Sequence, residues 1–282
     1  MILKRFRQSV LSAACQGNLD GHNDDGTANW ERLRIVDFLS SSRPGMKTGP
    51  FGTALKKSEH VDAGIPVLGI ENIGRGVFIE GSKIHITQAK AVELSAYDAI
   101  PGDVIISRSG TVGEVCVVPE GLGTARVSTN IIRVSLDADK VLPTFFCYLF
   151  NGSPDILSQI AHLRAGSTRE FLNQTILKSL DFVIPPISDQ REIVRRVEKL
   201  FKWADDVEKQ VEAATKRVDK LTQAILAKAF RGELVPTEAE LARREGRSYE
   251  PAAVLLDRVR AGREASALKH PRRVRHTRGG TA

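Results

Sequence analysis

Ile193-Val-Arg-Arg-Val197-Glu-Lys-Leu200-Phe-Lys-Trp-Ala204-Asp-Asp-Val207-Glu-Lys-Gln-Val211-Glu-Ala-Ala214-Thr-Lys-Arg-Val218-Asp-Lys-Leu221-Thr-Gln-Ala-Ile225 sets an apolar residue four and then three positions on, without a break. The spacing averages about 3.5 residues, which is the seam of a coiled-coil helix. Charged residues fill the intervals: Arg195, Arg196, Glu198, Lys199, Asp205, Asp206, Glu208, Lys209, Lys216, Arg217, Asp219 and Lys220. So narrow a stripe cannot be buried by one globular face; it needs another helix. Pro185-Pro186 and then Asp189, with Glu192 three residues on, predict a capped start, and Gly232 after Phe230-Arg231 predicts the end. A helix over 189–231 rises on the order of 60 Å at about 1.5 Å per residue.

Upstream, a shorter copy of this helix opens the chain. Residues 3–19 align without gaps to 218–234, with Gln8, Leu11, Ala14, Gly17 and Leu19 identical to Gln223, Leu226, Ala229, Gly232 and Leu234. Leu3, Phe6 and Val10 fall on the seam positions Val218, Leu221 and Ile225. Residues 1–19 therefore read as the last turns of a helix like the one downstream, as though a previous copy of the unit ended there.

Between the helical pieces, residues 20–185 read as one mixed globular domain, and the fold class expected is α+β. Ile65–Ile70, Val104–Ser107, Val112–Val118 and Ile131–Ser135 are short runs rich in β-branched residues, the pattern of strands. Pro143–Phe150 and Pro154–Leu163 read as short helices, and Ser109-Gly110 as a tight hairpin turn. Residues 186–234 hold the long helix, and 235–282 a basic tail expected to be disordered.

The composition, 41% apolar and 27% charged, is that of a soluble globular protein. No apolar run reaches the roughly 20 residues that span a bilayer, and the basic start lacks the apolar core of a signal peptide. Cys15, Cys116 and Cys147 are odd in number and far apart, which points to a reducing compartment; the cytoplasm is expected. The net charge of +7 is concentrated at one end: Gly262–Ala282 has six Lys or Arg against one acid, +5 in all, leaving +2 elsewhere. Such a tail is expected to be disordered and to add non-specific attraction to phosphate at most. Net charge alone does not establish nucleic-acid binding.

Catalytic patterns do not stand out. There is no G-x-x-x-x-G-K-[ST] phosphate loop, H-E-x-x-H or G-x-S-x-G. Ile184-Pro-Pro-Ile-Ser188 lacks both ends of the amino-methyltransferase signature, and the six histidines form no ligand cluster. No cofactor or metal is expected.

Several segments together resemble the specificity subunit of Type I restriction-modification systems. Gly64–Ile73 is similar to that family's first core strand and turn, and Pro101–Val115 to its glycine-marked hairpin. Phe182–Ile193 is similar to the start of its spacer helix, with Asp189 where Glu is commoner, and Ala229–Leu234 to that helix's end. The resemblance covers about 3–235. Full-length members carry two target-recognition domains, each followed by a spacer helix, and read a split DNA site. This chain has one domain, one complete helix and the stub of another, so it resembles a half-subunit or the C-terminal part of a full one. The resemblance implies a recognition subunit without chemistry of its own. It implies as partners double-stranded DNA, modification subunits, the restriction subunit indirectly, and a second copy of the chain through the coiled coil.

Base readout needs donors and acceptors on exposed loops that strands hold rigid. Lys47, Thr48 and Phe51, followed by Lys56 and Lys57, combine cations, a hydroxyl and glycine-freed backbone. Arg108, Ser109 and Thr111 sit at the hairpin tip, where a purely structural turn is an equal alternative. Arg164 and Arg169 repeat the composition and suit phosphate better than bases; Asn72 and Arg75 lie in a turn after a strand. For subunit docking the seam residues are Ile193, Val197, Leu200, Val207, Val211, Val218, Leu221 and Ile225. Two other readings stay open: a coiled-coil interaction scaffold whose globular domain does not read DNA, and a nuclease with an unrecognised site.

Overall fold

The computed structural model describes residues 2–19, 29–50, 54–110, 112–165 and 172–269. They divide into two units, residues 1–209 and 210–282. Helix α1 (Ile2–Cys15) comes first, then strands β1 (Glu31–Arg34), β2 (Met46–Thr48), β3 (His60–Val61), β4 (Ile65–Leu68) and β5 (Ile84–Ile86). Helix α2 (Gln88–Glu93) precedes strands β6 (Asp98–Ala99), β7 (Val104–Ser107), β8 (Val115–Val117), β9 (Ala125–Val127) and β10 (Ile131–Val134). Helices α3 (Pro143–Gly152), α4 (Pro154–Ala165) and α5 (Gln174–Ser179) lead to strand β11 (Asp181–Ile184). Helices α6 (Ile187–Phe230), α7 (Glu238–Glu245) and α8 (Ala252–Lys269) follow. The fold is α+β, with strands and helices where the β-branched runs and the 3.5-residue spacing put them.

Strands β2-β10-β7-β8 form an antiparallel sheet, and β3-β5-β4-β9-β6 a mixed one in which β4 and β9 are parallel. Successive side chains of a strand point to opposite faces. Val104 and Ile106 of β7 accordingly join one cluster, with Phe145, Phe146 and Phe182, while Ile105 joins another, with Leu68 and Val127. Both faces are covered, so every position of β7 is buried. Each such side chain contributes about 1.5–3 kcal/mol by leaving water.

Strand β1, which the residue pattern did not reveal, pairs antiparallel with β11, and Arg32 and Arg34 approach Asp181 at 4.0 and 3.6 Å. This clasp ties the two ends of the domain together. Gln190 then fixes the start of α6: its buried side chain accepts from the Leu142 amide and donates to the carbonyls of Lys140 and Pro185. The expected box of Asp189 and Glu192 does not form. The helix starts at Ile187, with the Asp189 and Gln190 amides donating to Pro186 O, and Glu192 turns instead to Arg195 and Arg196. These guanidinium groups, Arg195 first, hold the Glu192 carboxyl down to about 2.

Helix α1 lies antiparallel to the first part of α6. Phe6 meets Trp203 edge-on with ring centroids 5.6 Å apart, Arg7 pairs with Asp205 and Glu208, and Ala14 and Gly17 share a cavity with Ile193 and Arg196. Close approach to α3 requires Gly152, where an added Cβ would stand 2.4 Å from Leu11 Cβ. The repeat seen in the sequence extends to geometry. The Asn18 amide donates to Ala13 O and the Glu233 amide to Lys228 O, with Gly17 and Gly232 at φ +74° and +70°. Both helices thus end in the same six-to-one motif with a left-handed glycine.

The tail is a correction. Residues 235–282 were expected to lack structure, yet they hold α7 and α8. Thr237 and Glu240 cap α7 reciprocally, a Thr-x-x-Glu box that local chemistry supports despite the tail's charge. Residues 270–282 lie outside the described residues. No helix among the described residues is long and apolar enough to cross a membrane.

Candidate nucleic-acid interface

Two loops singled out separately in the sequence share one root with the start of α5. The Gly49 amide donates to Ile131 O, and Thr129 Oγ1 donates to Pro50 O. The Arg108 amide donates to Asn130 O, while Arg108 O accepts from the Leu172 amide at 3.1 Å. Gln174 Nε2 donates to Thr48 Oγ1 at 2.9 Å. Lys47, Thr48, Gly49, Tyr97, Arg108 and Gln174 together line an open concavity of about 360 Å³. Lys47 Nζ stands 5.2 Å from the centre of the Tyr97 ring, a cation–π distance. Gly49 is required there, since a Cβ would lie 2.0 Å from Ser128 O.

Beneath this surface a buried ion cluster sets the position of β2. Lys47 stands opposite Arg133 in the β2–β10 register. Arg133 donates to Pro44 O and Ser135 Oγ, Ser135 donates to Asp103, and Asp103 and Asp98 both bind Arg43. Arg133 is 1% and Asp103 4% exposed, and burial pulls the Arg133 guanidinium below its ordinary value. The segment from Arg43 to Lys47 is therefore held from below.

The other candidates divide. Lys56 and Lys57 are exposed on a turn pinned by Glu59, which accepts from the Lys56 amide at 2.6 Å and pairs with Lys90 at 2.8 Å. Ser109 is half-buried, with its carbonyl accepting from Ser107 Oγ. Arg75 is exposed and lies 3.7 Å from Glu114, away from the concavity. Asn72 is a correction: it is fully buried, accepting from the Gly69 amide and donating to the carbonyls of Ile79 and Gly81. Its amide closes a turn and presents nothing to a ligand. Phe51, Thr111 and Arg169 lie outside the described residues, and Arg164 is placed at the end of α4 only in its backbone.

A profile of the Type I restriction modification DNA specificity domain matches residues 29–217. The chain belongs to this family. It is 31% identical to the Type I restriction enzyme StySPI specificity subunit of Salmonella potsdam, over 95% of this chain and 57% of that protein. It is 46% identical to the EcoDI specificity subunit of Escherichia coli, over 95% of this chain and 62% of that one. The chain thus spans about 60% of the length of these relatives. In fold it is similar to the HsdS subunit from Thermoanaerobacter tengcongensis, with a TM-score of 0.53 at 19% identity over 82% of this chain and 51% of that one.

Two residues of this specificity-family chain escaped the sequence reading. Tyr97 carries no local signal of function. Gln174 was within reach: it directly follows Asn173, whose side chain caps α5 by accepting from the Ile176 amide. The seam residues separate into two sets. Ile193, Val197 and Ala204 are buried and Leu200 is half-buried against the domain and α1. Val211, Val218, Leu221 and Ile225 are 59%, 60%, 61% and 44% exposed.

Proposed function

We infer that this chain is a non-catalytic part of a Type I specificity subunit, reading one half of an interrupted double-stranded DNA site. The observation that carries this reading is the convergence of the Lys47 and Arg108 loops and the start of α5 on one open, cationic concavity. Lys47, Lys56 and Lys57 supply phosphate attraction; Thr48, Arg108, Ser109 and Gln174 supply the donors and acceptors that base edges require. The domain below holds them on short strands, which suits a surface that must keep its geometry while its loops differ between targets. Helix α6 supplies the docking element: its uncovered seam takes modification subunits, through which the restriction subunit is reached, or the α6 of a second copy. Membership of the specificity family supports the reading.

The test is selection from a random duplex pool, with the purified chain alone and with a modification subunit. Enrichment of a short common motif supports readout. A pool left unenriched under both conditions overturns it and favours a scaffold; metal-dependent cleavage by the chain alone favours a nuclease.

A further inference from the structure

We propose that α1 is a cis plug: it fills the site on α6 that the closing segment of a second copy's α6 would take, and so restrains self-association. The inference rests on the pairing of two α6 helices offered above and goes beyond it by naming what stands in the way.

Residues 3–19 and 218–234 share their seam positions and end in the same hydrogen-bonded motif around Gly17 and Gly232. In α1 this face is covered: Val10 is 7% and Cys15 8% exposed. Their counterparts Ile225 and Phe230 are 44% and 90% exposed. The same docking face thus occurs twice in the chain, once seated and once bare.

The seating of α1 also fixes a register. Phe6, the equivalent of Leu221, packs on Trp203, and Arg7, the equivalent of Thr222, pairs with Asp205. Placing a second α6 where α1 lies sets Leu221 opposite Ala204, Val218 opposite Val207, Ile225 opposite Leu200 and Val211 opposite Ala214. Each of these is a seam residue meeting a seam residue, as antiparallel helices related by a two-fold require. The contacts of Phe6 with Trp203 and Arg7 with Asp205 correspond to Leu221 with Trp203 and Thr222 with Asp205, which lie to either side of this register.

One difference favours the plug. Arg7 binds Asp205 and Glu208 at 2.6 and 3.3 Å, whereas Thr222 offers no charge to them. A segment from a second chain must therefore displace α1 and leave both carboxylates unpaired.

A labelled peptide of residues 215–236 tests this by fluorescence anisotropy against the wild-type chain and the Arg7→Thr and Val10→Asp variants. Arg7 is half-buried at the edge of the α1–α6 contact, so an unchanged cooperative melt of Arg7→Thr is the check that its fold is kept. We expect the peptide to bind Arg7→Thr at least about threefold tighter than wild type, the scale of two exposed ion pairs. Val10→Asp should bind tighter still, and sedimentation should show self-association strengthening in the same order. If Val10→Asp does not fold, the Arg7→Thr comparison decides alone. Equal binding to wild type and Arg7→Thr overturns the plug but leaves helix pairing intact. Absence of binding to every host overturns both.

Discussion

The side-chain amide of Gln174 donates to the hydroxyl of Thr48 at 2.9 Å, joining residues 126 positions apart in the chain. The bond orients both side chains at the concavity and leaves the Gln174 carbonyl and the second amide hydrogen for a ligand. A glutamine so held can contact an adenine edge bidentately. Gln174→Ala should flatten the preference at one base pair by about 1–3 kcal/mol while leaving binding to unrelated duplex unchanged. Competition between the selected site and its single-base variants measures this; an unaltered preference at every position would remove Gln174 from readout.

Lys47, Lys56 and Lys57 are assigned to phosphate, so their effect should depend on salt and not on sequence. The triple Ala variant should lower the slope of log affinity against log salt by roughly one unit for each phosphate no longer neutralised. Titrations across a range of salt concentrations give the slope directly. An unchanged slope places DNA elsewhere on the domain.

Asp103 joins Arg43 to the buried Ser135–Arg133 pair. Asp103→Ala leaves the buried Arg133 guanidinium without its carboxylate and Arg43 with Asp98 alone, and should cost roughly 3 kcal/mol. Urea denaturation of the two proteins decides it. A loss under about 1 kcal/mol would mean that the cluster is dispensable for holding β2.

The uncovered seam predicts the opposite balance. Val207→Asp with Val211→Asp should abolish helix pairing and shift unfolding of the target domain by no more than about 0.5 kcal/mol, because Val211 is exposed and Val207 half-exposed in the single chain. Sedimentation reports association and a thermal melt the domain. A variant that assembles like the wild type would refute the seam.

The three cysteines are free and buried, and burial raises the thiols of Cys15 and Cys116 from 9.0 to about 12, with Cys147 also raised. The folded state thus keeps thiols that the unfolded chain would ionise. Their contribution to stability is complete below about pH 9 and is lost as pH rises from there towards 12. A thiol reagent at about pH 8, just below the ordinary thiol range, should label none of them until denaturant is added. Fast labelling of the folded chain would contradict their burial.

What the sequence determined by itself is what depends on near neighbours. The α6 seam follows from the spacing of Ile193 to Ile225, because helix periodicity is local, and the α1 repeat follows from a common offset. The strands at 65, 104, 115 and 131 were legible because they are β-branched and largely buried. The Thr237 box is equally local, although the charge of the tail obscures it. Tertiary structure alone decided which segments meet. Nothing near Lys47, Arg108 or Gln174 in the chain says that their loops share a root; the β2-β10-β7 register does that. Asn72 has the same side chain whether it faces DNA or closes a turn, and only packing against Gly69, Ile79 and Gly81 resolves the choice. Likewise the seam of α6 looks uniform along its length, and only the seating of α1 on Gly152 and Trp203 divides it into a covered part and a bare one. Pairings between residues far apart in the chain depend on how whole surfaces fit, which no short window of sequence contains.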